Sequence, residues 1–463
     1  MLNEILGKVN DWMYTYLLLF LLVGTGIYFT IRTRCVQLRF LKESFRVLKE
    51  KGQEENGKKQ VSSFQALMIS TASRVGTGNI AGIAGGAGAV FWMWLMAIIG
   101  GASAFIESTL AQVYKVKDKD KEEFRGGPSY YMEKALGKRS VGILFAILLI
   151  ICFAYGFNGL QSFNMSSSLE YYIPGYSETI YPVIVGAVLA IGTALVIFGG
   201  VHRIGFITSV LVPIMAGSYL LIGLYTIITN ISELPHVFSM ILSQAFDFQA
   251  FAGGMAGSAV VIGIKRGLFS NEAGMGSAPN ASASAAVSHP AKQGMVQVLS
   301  VFIDTLLICS ATAMMLLLSG VEGKTGVLVG IPFVQKAVSA NVGNWGIHFI
   351  TLSIFAFAFS SLIGNYYYAE SNILFIKNNK KLLFIFRITC LLAVFFGAQA
   401  DFSMMWNIAD ITMGCMATVN IIVILILGNK AIRVLKDYEK QKKEGKDPVF
   451  SAKDAGIDNA DCW

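Results

Sequence analysis

Long apolar runs separated by short polar segments set the pattern of this chain. Eleven runs stand out, at about 13–31, 64–90, 91–114, 141–168, 180–198, 205–229, 251–280, 294–319, 346–376, 382–398 and 404–428. Most reach the roughly 20 residues that an α-helix needs to cross a bilayer. The pattern therefore predicts an all-α integral membrane protein with eleven transmembrane helices. The polar segments between the runs are too short for a second domain.

Two runs have a different texture. "SRVGTGNIAG" (73–82) sets Arg74, Thr77 and Asn79 among glycines in the second run, and "IGIKRGLFSNEAGMGSAPNAS" (262–282) interrupts the seventh. Glycine costs a helix about 1 kcal/mol relative to alanine. A loosened helix persists at membrane depth only beside protein or a wet cavity. Both runs are predicted to unwind. With the first run set aside, the interrupted helices are the first of each group of five, and the two groups begin on opposite sides. Interruptions at matching positions of inverted halves point to a transporter's binding site. A broken helix offers free N–H groups at one new end and free carbonyls at the other. Two facing breaks could therefore hold a zwitterion. The competing reading is close packing through the GxxxG steps of Gly78, Gly82 and Gly86, which leaves Arg74, Thr77 and Asn79 unaccounted for. The predicted division is a first helix and basic loop (1–63), a first inverted repeat (64–229), a second (230–428) and a basic tail (429–463).

Charge fixes the predicted orientation. Of the 463 residues, 54% are hydrophobic and 14% charged, with mean hydropathy +0.58; soluble domains average about a quarter charged. The 37 Lys and Arg residues concentrate in 32–63, 115–140 and the tail after 428, with a few near 203, 292 and 377–381. The opposite side holds only Lys8, Lys324 and Lys336. The positive-inside rule then puts the amino terminus outside and the carboxyl terminus in the cytoplasm, in the cell's inner (plasma) membrane. The net charge of +8 thus reflects topology and attraction to membrane lipid, and nucleic acid is not an expected partner. The lead-in "MLNEILGKVNDW" lacks the basic run of a signal peptide, so the first helix is expected to be retained. The six cysteines and four histidines are scattered without metal-ligand spacing, and no P-loop or H-E-x-x-H occurs.

Several stretches resemble the alanine or glycine:cation symporter family (the sodium:alanine symporters). They include "VGTGNIAGIA", "FWMW", "ESTLAQVYK", "GGPSYYMEKALG", "FGGVHRIG", "KRGLFSNEAGMGSAPNASASA", "HPAKQGMVQVLSVFIDT" and "WNIADITMG". The resemblance implies a LeuT-type core of five plus five inverted repeats with one extra N-terminal helix. It also implies symport of a small neutral amino acid, alanine or glycine, with sodium as the coupling ion, no organic cofactor, and function as a monomer. "VGTGN" is similar to a run in sodium-coupled amino-acid transporters where the unwound backbone meets substrate. That implies substrate contact at Gly76, Thr77, Gly78 and Asn79, with Asn79 a further candidate cation ligand. By the same resemblance, Phe357, Ser360 and Ser361 of "FAFSSLIGN" form a sodium site with Ala72 and Val75, and Ser361 also borders the substrate. A hard cation suits that all-oxygen set; the plain alternative is a serine pair bonded back to its own helix. "FNGLQSFN" implies pocket positions at Asn158 and Gln161, whose plain alternative is an interhelical hydrogen bond. Phe269, Ser270 and Asn271 fall at the second break, near the expected position of the substrate ammonium. Many relatives carry tryptophan where this chain has Asn365 in the pocket, which opens the substrate range to serine, asparagine or glutamine.

Charges at membrane depth need partners. Arg74 is expected to pair with Glu107, Glu272 or Asp410, whereas Lys265 and Arg266 are candidates for a cytoplasmic vestibule. Arg74 also supplies a rival mechanism: a fixed cation beside the sodium site would leave exchange or proton coupling. "GGPSYYMEKALG" (126–137) reads as a cytoplasmic interfacial helix, either a gate or a structural connection. A channel would show polar faces on several helices and no paired breaks. An enzyme would need a nucleophile–base or metal constellation, which the isolated His, Cys and Asp residues do not supply.

Overall fold

Helix starts and stops follow the local signals. The computed structural model describes residues 2–50, 54–55, 58–81, 86–117, 123–173, 175–246, 258–321 and 330–463. The first crossing begins earlier than the apolar run suggests: α1 (Leu2–Trp12) passes through a π-helical stretch (Met13–Leu18) into α2 (Leu19–Arg32). Two short helices, α3 (Val36–Arg39) and α4 (Leu41–Leu48), follow in the basic loop. Ser62 and Gln65 then form a reciprocal capping box that starts α5 (Ser63–Arg74). The chain unwinds at 75–77, resumes as α6 (Gly78–Ala81) and enters α7 (Ala87–Val113). The helix of the third run starts at Ala87, after Gly86 at positive φ, instead of at the predicted 91. Gly82 lies outside the described residues, as do Lys324 and the start of the seventh run.

A short hairpin pairs Val116–Lys117 with Phe124–Arg125, and α8 (Pro128–Lys134) follows at its predicted place with Pro128 in its first turn. The fourth crossing joins α9 (Arg139–Leu149), a π-helical stretch (Ile150–Phe157) and α10 (Asn158–Ser167). α11 (Tyr181–Ile197) and α12 (Gly200–Thr229) present rows of exposed apolar side chains, among them Ile184, Val188, Ile191 and Leu195, and Phe206, Ile214, Leu221 and Ile228. Lipid is the solvent for such a face, so it needs no cover. Two amphipathic helices went unpredicted: α13 (Leu234–Ala245), packed on α7, and α18 (Ile331–Val342). Both are shorter than a membrane span, and a search for spans passes over them.

The second interrupted helix starts at α14 (Ala259–Asn271), capped by Ser258. It breaks at Glu272, Gly274 and Gly276, all at positive φ, before α15 (Pro279–Ser284). α16 (Pro290–Val301), a π-helical stretch (Phe302–Cys309) and α17 (Ser310–Leu317) make the next crossing. α19 (Trp345–Ile376), α20 (Lys380–Gly397) and α21 (Phe402–Lys443) complete the bundle. α21 runs 42 residues, well past the predicted end at 428. Beyond Gly428, which packs on the Phe29 ring, it meets no glycine or proline until Gly445, and its lysines and glutamates favour the helix. Among the described residues, seven helices are long and apolar enough to cross a membrane by length and composition.

On the side of the basic loops, charged and aromatic groups tie α4, α16 and α21 together. Lys292 is buried yet pairs with Glu50 at 2.9 Å and Asp447 at 3.2 Å. His289 caps α16 by accepting from Ala291 N at 3.2 Å, and its ring meets Tyr438 and Phe450 edge-on. Burial outweighs the nearby Asp437 carboxylate and pushes the His289 pKa from 6.5 down to about 4. A histidine depressed in the folded state contributes stability that is complete above its unfolded pKa and disappears as pH falls through the folded one. The melting temperature of the solubilised protein is therefore expected to drop as pH falls from 6.5 to about 4. His289→Asn keeps a capping acceptor but does not titrate, so it should flatten that limb of the melting curve. Equal slopes for the two proteins would refute this assignment.

Candidate functional site

The two breaks face each other inside the bundle. Asn79 Nδ2, just past the first break, donates to Ser270 Oγ at 3.2 Å, and Ser73 Oγ lies 3.1 Å from Glu272 Oε1. Gly78 approaches the Phe269 ring so closely that a Cβ there would fall within it. Every sequence-predicted site residue is buried. Helix is interrupted at 75–77 and at 272–278, so Phe269, Ser270 and Asn271 are the last residues of α14, and the reason is visible locally. Val75 leaves the helical region at φ −76, ψ 87, and Glu272 turns left-handed at φ 54.

Breaking a helix frees N–H groups that lipid cannot satisfy. Here side chains answer them. Gly76 N donates to Asn79 Oδ1 and Thr77 N to Gln161 Oε1, both at 3.0 Å. Asn164 Nδ2 donates to Thr77 Oγ1 at 3.0 Å. At the second break, Ala273 N donates to Asn271 Oδ1 at 2.9 Å, and Gly274 N to Glu107 Oε1 at 3.2 Å. Asn420 Nδ2 then links Glu107 (2.8 Å) to Gly274 O (2.9 Å). The donors at Gly76 and Thr77 are thus not bare, as the sequence suggested, but held by the side-chain carboxamides of Asn79 and Gln161. The Nδ2 of Asn271 is buried without a partner.

The carbonyl side is different. Ser361 Oγ lies 3.0 Å from Ala72 O, 3.3 Å from Val75 O and 3.0 Å from Phe357 O. A hydroxyl has one proton to donate, so it cannot satisfy three carbonyls at once. Carbonyl oxygens from both sides of the helix–helix contact therefore converge on one hydroxyl. Ser360 Oγ bonds back to Phe357 O at 2.8 Å and touches Met215 Sδ at 3.6 Å. The serine pair thus divides: Ser360 follows the back-bonded alternative, whereas Ser361 reaches across to α5.

Asn365 bridges two helices. Its Nδ2 donates to Asn158 Oδ1 at 3.0 Å, and its Oδ1 accepts from Ser73 at 2.7 Å. Phe269 stacks between Phe157 (4.8 Å) and Trp406 (5.3 Å), closing the side toward Arg266. Sequence reasoning assigned no role to Ser73, Asn164, Phe157 and Trp406, although each lies in a stretch it singled out. Asp304 joins the site as well. The π-helical stretch Phe302–Cys309 turns Asp304 toward the first break, where it accepts from Asn79 Nδ2 at 2.7 Å and from Ser270 and Thr305.

The charges at depth also resolve. Arg74 has Glu272 as its partner, at 4.0 Å, and donates to Gln297 O at 3.5 Å. Both contacts are to the second half of the chain, Glu272 at the second break and Gln297 in α16. Lys265 and Arg266 share one carboxylate. Both pair with Asp410, at 2.9 and 2.6 Å, beside Asn10 of α1. That places them at the end of the bundle opposite the basic loops, because α14 enters from that end.

A family model described as the sodium:alanine symporter family matches residues 1–452. The chain is 48% identical to the amino-acid carrier protein AlsT of Bacillus subtilis, over 100% of this chain and 97% of that one. It is 47% identical to the probable sodium/glutamine symporter GlnT of the same organism, over 100% and 96%. Among solved structures, MhsT in complex with L-phenylalanine matches with a TM-score of 0.52 at 17% identity, covering 86% of this chain and 92% of that one. These structural neighbours are LeuT-fold transporters, and the likeness carries that fold to this chain.

Overpacking the contact between the breaks tests this geometry. Gly78→Ala should lower the melting temperature, because the Phe269 ring is boxed in by Phe157 and Trp406; such strain costs about 1–3 kcal/mol. Adding Phe269→Leu to Gly78→Ala should restore part of the loss. An absence of recovery would show that the ring is not the obstacle.

Proposed function

The chain belongs to the sodium:alanine symporter family, as a membrane transporter and not an enzyme, and from that premise we propose that it carries a small neutral amino acid together with Na⁺ by alternating access. The carrying observation is the cluster of Ala72, Val75 and Phe357 carbonyls around the Ser361 hydroxyl. Such a set suits a hard cation without a strongly coordinating side chain. In this reading Na⁺ occupies that cluster, with Ser360 completing the shell by a rotamer change. The substrate lies against Gly76, Thr77, Gly78 and Asn79, with its carboxylate taking over the N–H groups now held by Asn79 and Gln161. Its ammonium faces the end of α14 at Phe269, Ser270 and Asn271. Asp304 supplies a negative charge that favours Na⁺ entry near Asn79. The crossings number eleven: the seven long helices, Tyr181–Ile197, Lys380–Gly397 and the two interrupted ones. The first inverted repeat is 64–229 and the second 230–428, with the amino terminus outside and the tail in the cytoplasm.

Alanine and glycine are the first substrates of this reading. A second reading takes an amide substrate such as glutamine, or serine or asparagine. The Asn158–Asn365 amide pair favours it, because a polar pair leaves room and hydrogen-bonding capacity where a large ring would close the pocket.

Reconstituted protein is expected to accumulate labelled alanine or glutamine under an inward Na⁺ gradient. Ser361→Ala should raise the Na⁺ concentration for half-maximal uptake roughly tenfold, equivalent to about 1.4 kcal/mol. Accumulation driven equally by a proton gradient would replace the coupling ion, and ion flux independent of amino acid would restore the channel reading. Asn365→Trp is expected to abolish competition by glutamine while sparing alanine and glycine. Unchanged competition would remove Asn365 from the pocket.

A further inference from the structure

The segment 447–463 is folded against the bundle at the end carrying the basic loops, and nothing in substrate or cation binding calls for it. It crosses the seam where the two interrupted helices meet. At that seam Ala286 N, just after α15, donates to Val61 O, just before α5, at 3.0 Å, and Gln293 Nε2 donates to Ser63 Oγ at 2.9 Å. Gln112, at the end of α7, donates to Ser282 O and to Ala285 O, the latter at 2.9 Å. Opening a path on this side requires α5 and α15 to part.

The segment fastens both sides of the seam. Phe450 N donates to Ser288 O at 2.9 Å, and Ser288 Oγ donates to Pro448 O at 2.8 Å, like one rung of a ladder beside the link after α15. Trp463 Nε1 donates to Gln112 O at 2.9 Å, and its ring packs on the small cluster of Ala66, Ala285 and Val287 that joins α5 to the same link. Phe450 and Trp463 meet edge-on at 5.6 Å, so the two anchors form one unit. The Lys115 ammonium sits 4.7 Å from the Trp463 ring and 4.0 Å from the Phe124 ring while donating to Ala285 O at 3.0 Å. Asp461 reaches Lys134 of α8 at 2.6 Å. Phe450 is buried and Trp463 half-buried, and aromatic anchors bearing hydrogen bonds contribute much of the energy of such contacts.

We propose that residues 447–463 are an intramolecular latch that holds the seam between α5 and α15 closed, so that inward opening requires Phe450 and Trp463 to leave their seats. The latch rests on the alternating-access reading above, but its test needs neither substrate nor sodium. Ser284, buried in α15, is replaced by cysteine in a chain whose Cys35, Cys415 and Cys462 are serine. A membrane-impermeant maleimide is then applied from the cytoplasmic face of inside-out vesicles. Phe450→Ala with Trp463→Ala, and separately deletion of 447–463, should each raise labelling at Ser284→Cys at least about fivefold, the lower range for coupling between distant sites. A parallel cysteine replacing Thr226, buried near the far end of α12, should stay unreactive. A rise confined to Ser284→Cys supports the latch, whereas a rise at both positions or at neither overturns it. Failed uptake by the parent protein would sink the transport reading and leave the labelling result standing.

Discussion

A peptide group stripped of its helical partner inside hydrocarbon must find another one in the protein, and this demand organises the centre of the molecule. The two breaks release donors and acceptors at the same depth, from helices running in opposite directions. The donors are met at once by Asn79, Gln161, Asn271 and Glu107. The acceptors of the first break are not met as fully, because Ala72 O and Val75 O share the one proton of Ser361, which also lies within reach of Phe357 O in α19. The imbalance between answered donors and under-answered acceptors is the feature on which the proposed cation site rests. It arises from backbone geometry before any ionised side chain is considered.

Ionised side chains are nonetheless abundant at this depth, and their arrangement is economical. Glu272 is shared by Ser73, Ser277 and Arg74, and Asp410 by Lys265 and Arg266. An isolated buried charge is expensive, and removing one partner leaves the other uncompensated. Each cluster also joins different parts of the bundle: Glu272 connects the two breaks, and Asp410 connects α14 to α21 and α1. The pairs therefore constrain which helices move together.

Much of this was legible in the sequence, because membrane helices advertise themselves by length and their interruptions by glycine, proline and small polar residues. The mirrored positions of the two breaks follow from counting runs. The reach of Ser361 across to Ala72 and Val75 came from likeness to a family and not from the spacing of residues. What stayed hidden depends on three-dimensional approach. Ser73 and Asn164 look like ordinary helix residues, and only packing brings them to Asn365 and Thr77. Asp304 is aimed by a π-helical stretch, which no apolar pattern encodes. α13 and α18 are amphipathic and short, and the extension of α21 is polar, so none of them registers as a membrane run.

α21 has a mechanical consequence. At 1.5 Å per residue, its 42 residues form a rod about 60 Å long. Its opening turns hold Asp410, its middle holds Asn420 against the second break, and its far end presents Asp437 to His289 and Gln441 to Val449. Pivoting such a rod by about 5° around its midpoint displaces each tip by roughly 2–3 Å, enough to part a hydrogen bond. Events at opposite faces of the bilayer are thus geared to one another through a single stiff shaft.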